Sequence, residues 1–184
     1  MTQTTDRLEQ RTMQVLADVV SEVVIDTPRD ELDLSYWVYQ MSDRDYRECA
    51  RGHIAGASSP LPGGARSSIN VESVGGHLLV QHYEPEILEP HHIRMISHAS
   101  EMWIFRLIPS RVKVIWDVSL HENGEGGCTF RDHIRVEHRS RLIGFLSRVA
   151  LINRVVQKHD DEETPAFARN LVEVCARRER SRTD

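Results

Sequence analysis

Apolar and polar positions alternate most regularly between Ser110 and Glu163, where they predict two strands followed by a long helix. Val112, Val114, Trp116, Val118 and Leu120 share one face, and Lys113, Asp117 and Ser119 share the other. That two-residue period is the mark of a half-buried strand. The stretch Glu122-Asn123-Gly124-Glu125-Gly126-Gly127 supplies the positive φ angles that a hairpin loop needs. The period resumes with Cys128, Phe130, Ile134 and Val136 facing inward, and one polar residue, Asp132, interrupts that face. From Ser140 the period changes, with Leu142, Phe145, Leu146, Val149, Ile152 and Val156 recurring at three and four, as on a helix with one buried stripe.

Upstream, Leu8, Val15, Leu16, Val19, Val20 and Val23 predict an amphipathic helix over residues 6–25, stopped by Asp26-Thr27-Pro28. Tyr36 to Met41 is aromatic and β-branched and reads as a strand. Ser42 with Asp45 makes a capping box for a short helix through Tyr46 and Cys49. Gly52 to Gly64 is rich in Gly, Ser and Pro and reads as a connection. Strands are expected at Ser67–Val74, His77–Glu84, His91–His98 and Glu101–Ile108. Near the end, Thr164-Pro165 either restarts a helix as N-cap and first residue or kinks one that is already running. The expected fold class is therefore α+β, a curved antiparallel sheet of about seven strands gripping a long C-terminal helix. Residues 1–184 form a single domain: a helix at 6–25, a sheet with one short helix at 34–138, the C-terminal helix at 140–176 and a frayed tail at 177–184.

This order of elements, from about Leu34 to Val174, resembles the helix-grip fold of the START and Bet v 1-like superfamily, which includes polyketide cyclases and aromatases. A helix before the first strand departs from that pattern, since members usually begin with a strand and two helices. The resemblance implies an elongated cavity between sheet and helix for a small apolar or aromatic molecule. Some relatives are catalytic and others only carry ligands. A cystatin-like sheet is the second choice, ranked lower because there the long helix comes first.

Composition narrows the picture only slightly. A chain of 184 residues with 40% hydrophobic and 28% charged residues suits one soluble domain. A net charge of −5 offers no general attraction to nucleic acid or to an anionic membrane. There is no apolar run of roughly 20 residues, so no membrane span is expected. Cys49, Cys128 and Cys175 are odd in number and far apart, which fits reduced thiols and a cytoplasmic location. Ten histidines are the one excess.

Polar residues on apolar faces are the candidates for chemistry, because burying one unpaired costs roughly 1–3 kcal/mol. Asp132 breaks the inward face of the last strand, while Asn153, Asp160 and Glu163 share the helix stripe with Leu146, Val149 and Val156. A carboxylate in an apolar cavity has a raised pKa and can act as a general acid or base. Asp132, His82, Asn153 and Glu163 are thus the expected catalytic set, for cyclisation, dehydration or hydrolysis. A satisfied hydrogen bond, for instance from Asp132 to Arg94 or Arg106, is the plain alternative. Trp37, Tyr39, Trp103, Trp116, Phe130 and Val149 are the expected ligand lining, and would serve equally well as core. The expected partner is a small apolar or aromatic molecule, with a homo-oligomer left open and no cofactor required.

Two alternatives accompany this reading. One is a non-catalytic carrier or sensor. The other is a metal-dependent hydrolase, since His159 and Glu163 form a His-x-x-x-Glu pair that puts imidazole and carboxylate on one helix face. The diacetylphloroglucinol hydrolase of the helix-grip group is similar in carrying such a pair on its last helix. Zinc would then need further ligands, with His82, His91, His92, His98, His121 and Glu122 as candidates.

Overall fold

The computed structural model describes residues 13–149 and 151–183, with side chains other than those of 148, 149 and 183. Seven antiparallel strands form one open sheet in the order β1-β7-β6-β5-β4-β3-β2. They are β1 (Gln14–Ile25), β2 (His53–Pro60), β3 (Arg66–Val74), β4 (His77–Glu89), β5 (His92–Ile104), β6 (Ile108–Glu122) and β7 (Cys128–His138). Two short helices, α1 (Leu34–Trp37) and α2 (Asp43–Cys49), link β1 to β2. After β7 come α3 (Arg141–Val149) and the long α4 (Ile152–Thr183), separated at Leu151, whose φ is +55°.

The expected alternation of β6 and β7 holds. Val112, Val114, Trp116, Val118, Leu120, Cys128, Phe130 and Asp132 are all buried. The loop between them is tied by Asn123, whose Oδ1 accepts from the backbone N–H groups of Glu125 and Gly127. The capping box of α2 also forms, with Ser42 and Asp45 bonding reciprocally.

Four expectations are corrected. The helix predicted over 6–25 is a strand from Gln14 onward, paired with β7 from Gln14↔His138 to Ile25↔Cys128, and residues 6–12 lie outside the described residues. Its valines fit both periods, and pairing with β7 selects the extended form that β-branched residues favour. The described residues thus run strand, helix, helix from Gln14 onward, in the helix-grip order. Tyr36–Met41 is not a strand, because Asp33 accepts the Tyr36 backbone N–H and caps α1 instead. Part of the Gly/Ser/Pro stretch is the edge strand β2, while 91–98 and 101–108 merge into β5 around a bulge at Ser97–Ser100. These changes compensate, and the total of seven strands stands.

The fourth correction concerns the C-terminal helix. Leu142, Phe145 and Leu146 are exposed, so the expected stripe at 140–156 is not the buried one. The buried face of α4 is His159, Asp160, Glu163, Thr164, Phe167, Ala168, Leu171, Val174 and Cys175, again at three and four. Pro165 lies inside the helix, which neither restarts nor stops there and continues through the supposed frayed tail to Thr183. Arg178 anchors that end with a 2.7 Å ion pair to Asp33 and a guanidinium 4.1 Å from the Tyr36 ring centroid.

The C-terminal half of this face packs on an aromatic cluster. Trp37 meets Trp116, Phe130 and Phe167 edge-on, at centroid distances of 6.0, 6.1 and 5.7 Å, the favoured geometry for aromatic pairs. The N-terminal half is polar, and it faces β2 and β3 on one side and β1 and β7 on the other.

Candidate metal centre

Strand pairing begins the site. His53 on β2 sits opposite Glu72 on β3, so both project from the same face of the sheet. The His53 ring stacks on Tyr46 at 3.9 Å with 4° between the planes, and Gly56 makes room, since a Cβ there would lie 2.9 Å from the Tyr46 ring. His53 Nδ1 lies 2.6 Å from the Tyr46 carbonyl oxygen. A carbonyl only accepts, so Nδ1 carries the proton and Nε2 points onward to the site.

Helix α4 completes the set with His159 and Glu163, one turn apart. His53 Nε2 is 2.8 Å from Glu163 Oε2 and 3.8 Å from Glu72 Oε2. His159 Nε2 is 3.3 Å from Glu72 Oε2 and 3.5 Å from Glu163 Oε2. Two imidazole nitrogens and two carboxylate oxygens thus converge, and all four residues are buried. A tetrahedral ion with bonds of about 2.0–2.2 Å holds its ligand atoms roughly 3.3–3.6 Å apart. The observed spacing brackets that range.

Neighbours orient the ligands. Glu72 Oε1 accepts from Gln81 Nε2 at 2.8 Å, and Glu72 Oε2 accepts from the Tyr46 hydroxyl at 3.3 Å. Gly52 lets His159 approach, because a Cβ there would stand 2.7 Å from the Ser73 carbonyl oxygen and 3.0 Å from the His159 ring. The Arg51 backbone N–H donates to Glu162 Oε1 at 3.0 Å, tying the start of β2 to α4. Hydrogen bonds to the distant nitrogen of a ligating histidine and to ligating carboxylates are the usual support of a metal site.

Electrostatics without an ion follow from the same contacts. Burial opposes charging of His159, but Glu163 and Glu72 outweigh it and raise its pKa to about 9. Burial likewise opposes a charge on His53, and its hydrogen bond to Glu163 again prevails, so its pKa also lies above the ordinary value. Glu72 is held below its ordinary value although burial opposes this, chiefly by the bond from His159. Both imidazoles thus hold a proton more tightly than a free histidine does, and an ion bound here would displace such protons.

Behind Glu163 lies a second group. Asp132, Asp160 and Glu163 bring one oxygen each within 4.8 Å of one another. Asp132 and Asp160 are fully buried. Trp116 Nε1 donates to Asp132 Oδ1 at 2.9 Å, and the Thr164 hydroxyl, 2.7 Å from the Asp160 carbonyl oxygen, lies 3.4 Å from Asp160 Oδ1. Among the described residues neither Oδ2 atom has a hydrogen-bond partner, although the Ser21 hydroxyl, which donates to Asp161, also acts on the Asp160 carboxyl. Burial, reinforced by the neighbouring carboxylates, pushes Asp132 well above the carboxylate range and Asp160 up to about 7.

The residues named from sequence divide sharply. Asp132, His159 and Glu163 are brought together. His82 is not, because Leu79, Gln81 and Tyr83 take the inward positions of β4 and leave His82 exposed. Asn153 is exposed and accepts the Asp18 backbone N–H, docking α4 on β1. Trp37, Trp116 and Phe130 belong to the aromatic cluster, and of the three Trp116 borders a cavity, one of about 20 Å³ beside Met41 and Tyr46. Tyr39 is half-buried with its hydroxyl on the Arg66 carbonyl, Trp103 is 38% exposed, and the Val149 side chain lies outside the described residues. His53, Glu72 and Gln81 were missed. His53 sits in a stretch read as a loop, and Glu72 shares parity with buried Val74, a cue that acquires meaning only once β2 is present.

An apolar cavity adjoins the cluster, lined by Leu79, Met102, Val114, Ile134 and Val156 with Glu72 and His159 at its end. Its volume is about 60 Å³, far less than the elongated chamber the resemblance implied, because the aromatic cluster fills the rest of the groove. His159 also borders an open groove of about 580 Å³ lined by Gly52, Ser73, Gly75, Arg154 and Lys158.

No family model matches the sequence, and no curated protein matches it. Solved structures do. A START superfamily protein from Mycobacterium smegmatis is similar at 9% identity and a TM-score of 0.54, covering 85% of this chain and 98% of that one. The di-domain ARO/CYC StfQ from the steffimycin biosynthetic pathway gives 11% and 0.55 over 92% of this chain, which spans 55% of that larger protein. Ara h 8.0201 gives 11% and 0.50, over 86% and 97% of the two chains. Such identities speak to fold alone. This chain has the helix-grip fold, and no helix among its described residues is long and apolar enough to cross a membrane.

Proposed function

We propose that this helix-grip chain is a metal-dependent hydrolase that binds a divalent ion, zinc first, on His53, Glu72, His159 and Glu163. The observation carrying this reading is the convergence of four buried ligand atoms with their orienting hydrogen bonds already in place. Two nitrogens with two oxygens suit zinc among the biological divalent ions. When bound, such an ion supplies Lewis acidity, polarising a carbonyl or making a nucleophile of water near neutral pH. The chain's own residues do the rest. The Tyr46 carbonyl holds the His53 tautomer, Gln81 and Tyr46 hold the Glu72 carboxylate, and the apolar side chains beside them exclude bulk water. The substrate class is a small, largely apolar carbonyl compound that reaches His159 from the open groove. A cavity of about 60 Å³ holds roughly two waters, so a larger group requires the first turns of α4, which carry Val155 and Val156, to give way.

Acid–base catalysis by Asp132 without metal is less well supported, because neither Asp132 nor Asp160 borders the apolar cavity or the open groove. A passive carrier would gain nothing from so many buried charges, each costly in an apolar interior.

The test is elemental analysis of untagged protein by inductively coupled plasma mass spectrometry, before and after zinc titration. Near-stoichiometric metal that is lost in His159→Ala is expected, followed by hydrolysis of aryl ester and acyl ketone probes that a chelator abolishes. Wild-type protein that neither carries nor takes up metal would overturn the proposal.

A further inference from the structure

We infer that Asp132, Asp160 and Glu163 form a second divalent-cation site, so that Glu163 bridges two ions and the centre is binuclear. This extends the metal reading through one shared residue, Glu163, and stands otherwise on different atoms. The clustering of three acids is not the argument. Two observations are: Asp132 and Asp160 each keep a fully buried Oδ2 without a partner, and those side chains converge with Glu163, each with an oxygen within 4.8 Å of the others.

The local charge balance points the same way. Among the described residues no arginine or lysine makes an ion pair with Asp132, Asp160 or Glu163, and the histidines of the first cluster already face Glu72 and Glu163. The neutral donors nearby are Trp116 Nε1, spent on Asp132 Oδ1, the Thr164 hydroxyl, engaged by the Asp160 carbonyl oxygen, and the Ser21 hydroxyl, which donates to Asp161 and also acts on Asp160. Desolvated carboxylates persist in proteins when they are paired or coordinate metal. An all-oxygen donor set suits a harder ion than the imidazole site does, such as manganese or magnesium. The two sites would therefore differ in preference, with zinc at the nitrogen-rich one and manganese accepted at both. Because the aspartates border neither the cavity nor the groove, the second ion would sit behind the first, where it reinforces the positive field at the substrate-facing site and holds Glu163 in place.

Chelator-treated, desalted protein is titrated with Mn²⁺ and, separately, with Zn²⁺. Bound metal is counted by mass spectrometry, and the Mn²⁺ sample is examined by electron paramagnetic resonance. Two equivalents of Mn²⁺ with a spin-coupled spectrum are expected in the wild type. One equivalent with an isolated six-line spectrum is expected in Asp132→Asn and in Asp160→Asn. Both variants are isosteric with the protonated acid, so circular dichroism and melting should report an intact fold. His159→Ala separates the two readings. One equivalent kept in His159→Ala and lost on adding Asp132→Asn is expected if both sites exist, whereas a wild type that takes only one equivalent, kept in His159→Ala and lost in Asp132→Asn, leaves the carboxylate site standing and overturns the four-ligand one. If wild type and Asp132→Asn both take the same single equivalent, or if the wild type takes none, the second site is overturned and the aspartates are protonated instead.

Discussion

Helix α4 buries one continuous face, yet its two halves solve burial in opposite ways. From Phe167 onward the face is apolar and packs on Trp37, Trp116 and Phe130, and both indole N–H groups are satisfied, by Asn170 and Asp132. From His159 to Thr164 the face is polar and charged, and two carboxylate oxygens remain orphaned. The first half stabilises by area and shape, through burial of aromatic rings. In the second, buried charges cost desolvation that their mutual contacts only partly return. A fold that already holds its helix through the aromatic half has no structural need of the polar half. The difference teaches where stability ends and chemistry begins, with Trp116 at the boundary, its ring in one region and its N–H in the other.

The contrast can be broken from either side. Phe167→Ala should cost the most, about 3–5 kcal/mol by chemical denaturation, while the metal bound per folded molecule stays unchanged. Loss of metal in that variant would mean that the halves are not independent. Gly52→Ala comes next. Its Cβ meets the Ser73 carbonyl and the His159 ring, so about 1–3 kcal/mol of overpacking is expected, together with weaker zinc binding by calorimetry. Unchanged zinc affinity would argue that His159 is not a ligand.

Gln81→Met removes the hydrogen bond to Glu72 with little change of shape. Metal affinity should fall roughly 10–100-fold, and an unaltered affinity would exclude Gln81 as the support of a ligand. The smallest effect per step is a pH slope in the metal-free protein. His159 is raised to about 9 and Asp160 to about 7. A raised folded pKa contributes stability that is fully present below the unfolded value and is lost as pH rises through the folded one. Together the two groups make the metal-free protein progressively less stable from about pH 4 to about pH 9, Asp160 over the lower part of that range and His159 over the upper, by at most about 1.4 kcal/mol per proton per pH unit. Melting temperatures across that range check it. Phe167→Ala should shift the curve without changing its slope, and a flat wild-type profile would mean that these groups keep their ordinary pKa values.

How much of this was legible varies with the range of the interactions involved. The hairpin of β6 and β7 and the inward position of Asp132 follow from local alternation, and His159 with Glu163 from helical spacing. Residues 14–25 misled because paired valines satisfy a helical period as well as a strand period, and only the partner strand chooses between them. His82 misled because parity along β4 decides which residues share a face, not which face is the inner one. Sheet pairing put Gln81 inside.

The short-range features, namely the last hairpin, the capped helix α2 and the one-turn spacing of His159 and Glu163, are written in local periodicity, since they depend on backbone geometry repeated every two or 3.6 residues. Tertiary packing alone settled that His53 faces Glu72 across an edge ladder, that α4 rather than α3 carries the buried stripe, and that six polar side chains from four elements meet behind one cavity. Such meetings are set by strand register and helix docking, which no local period encodes.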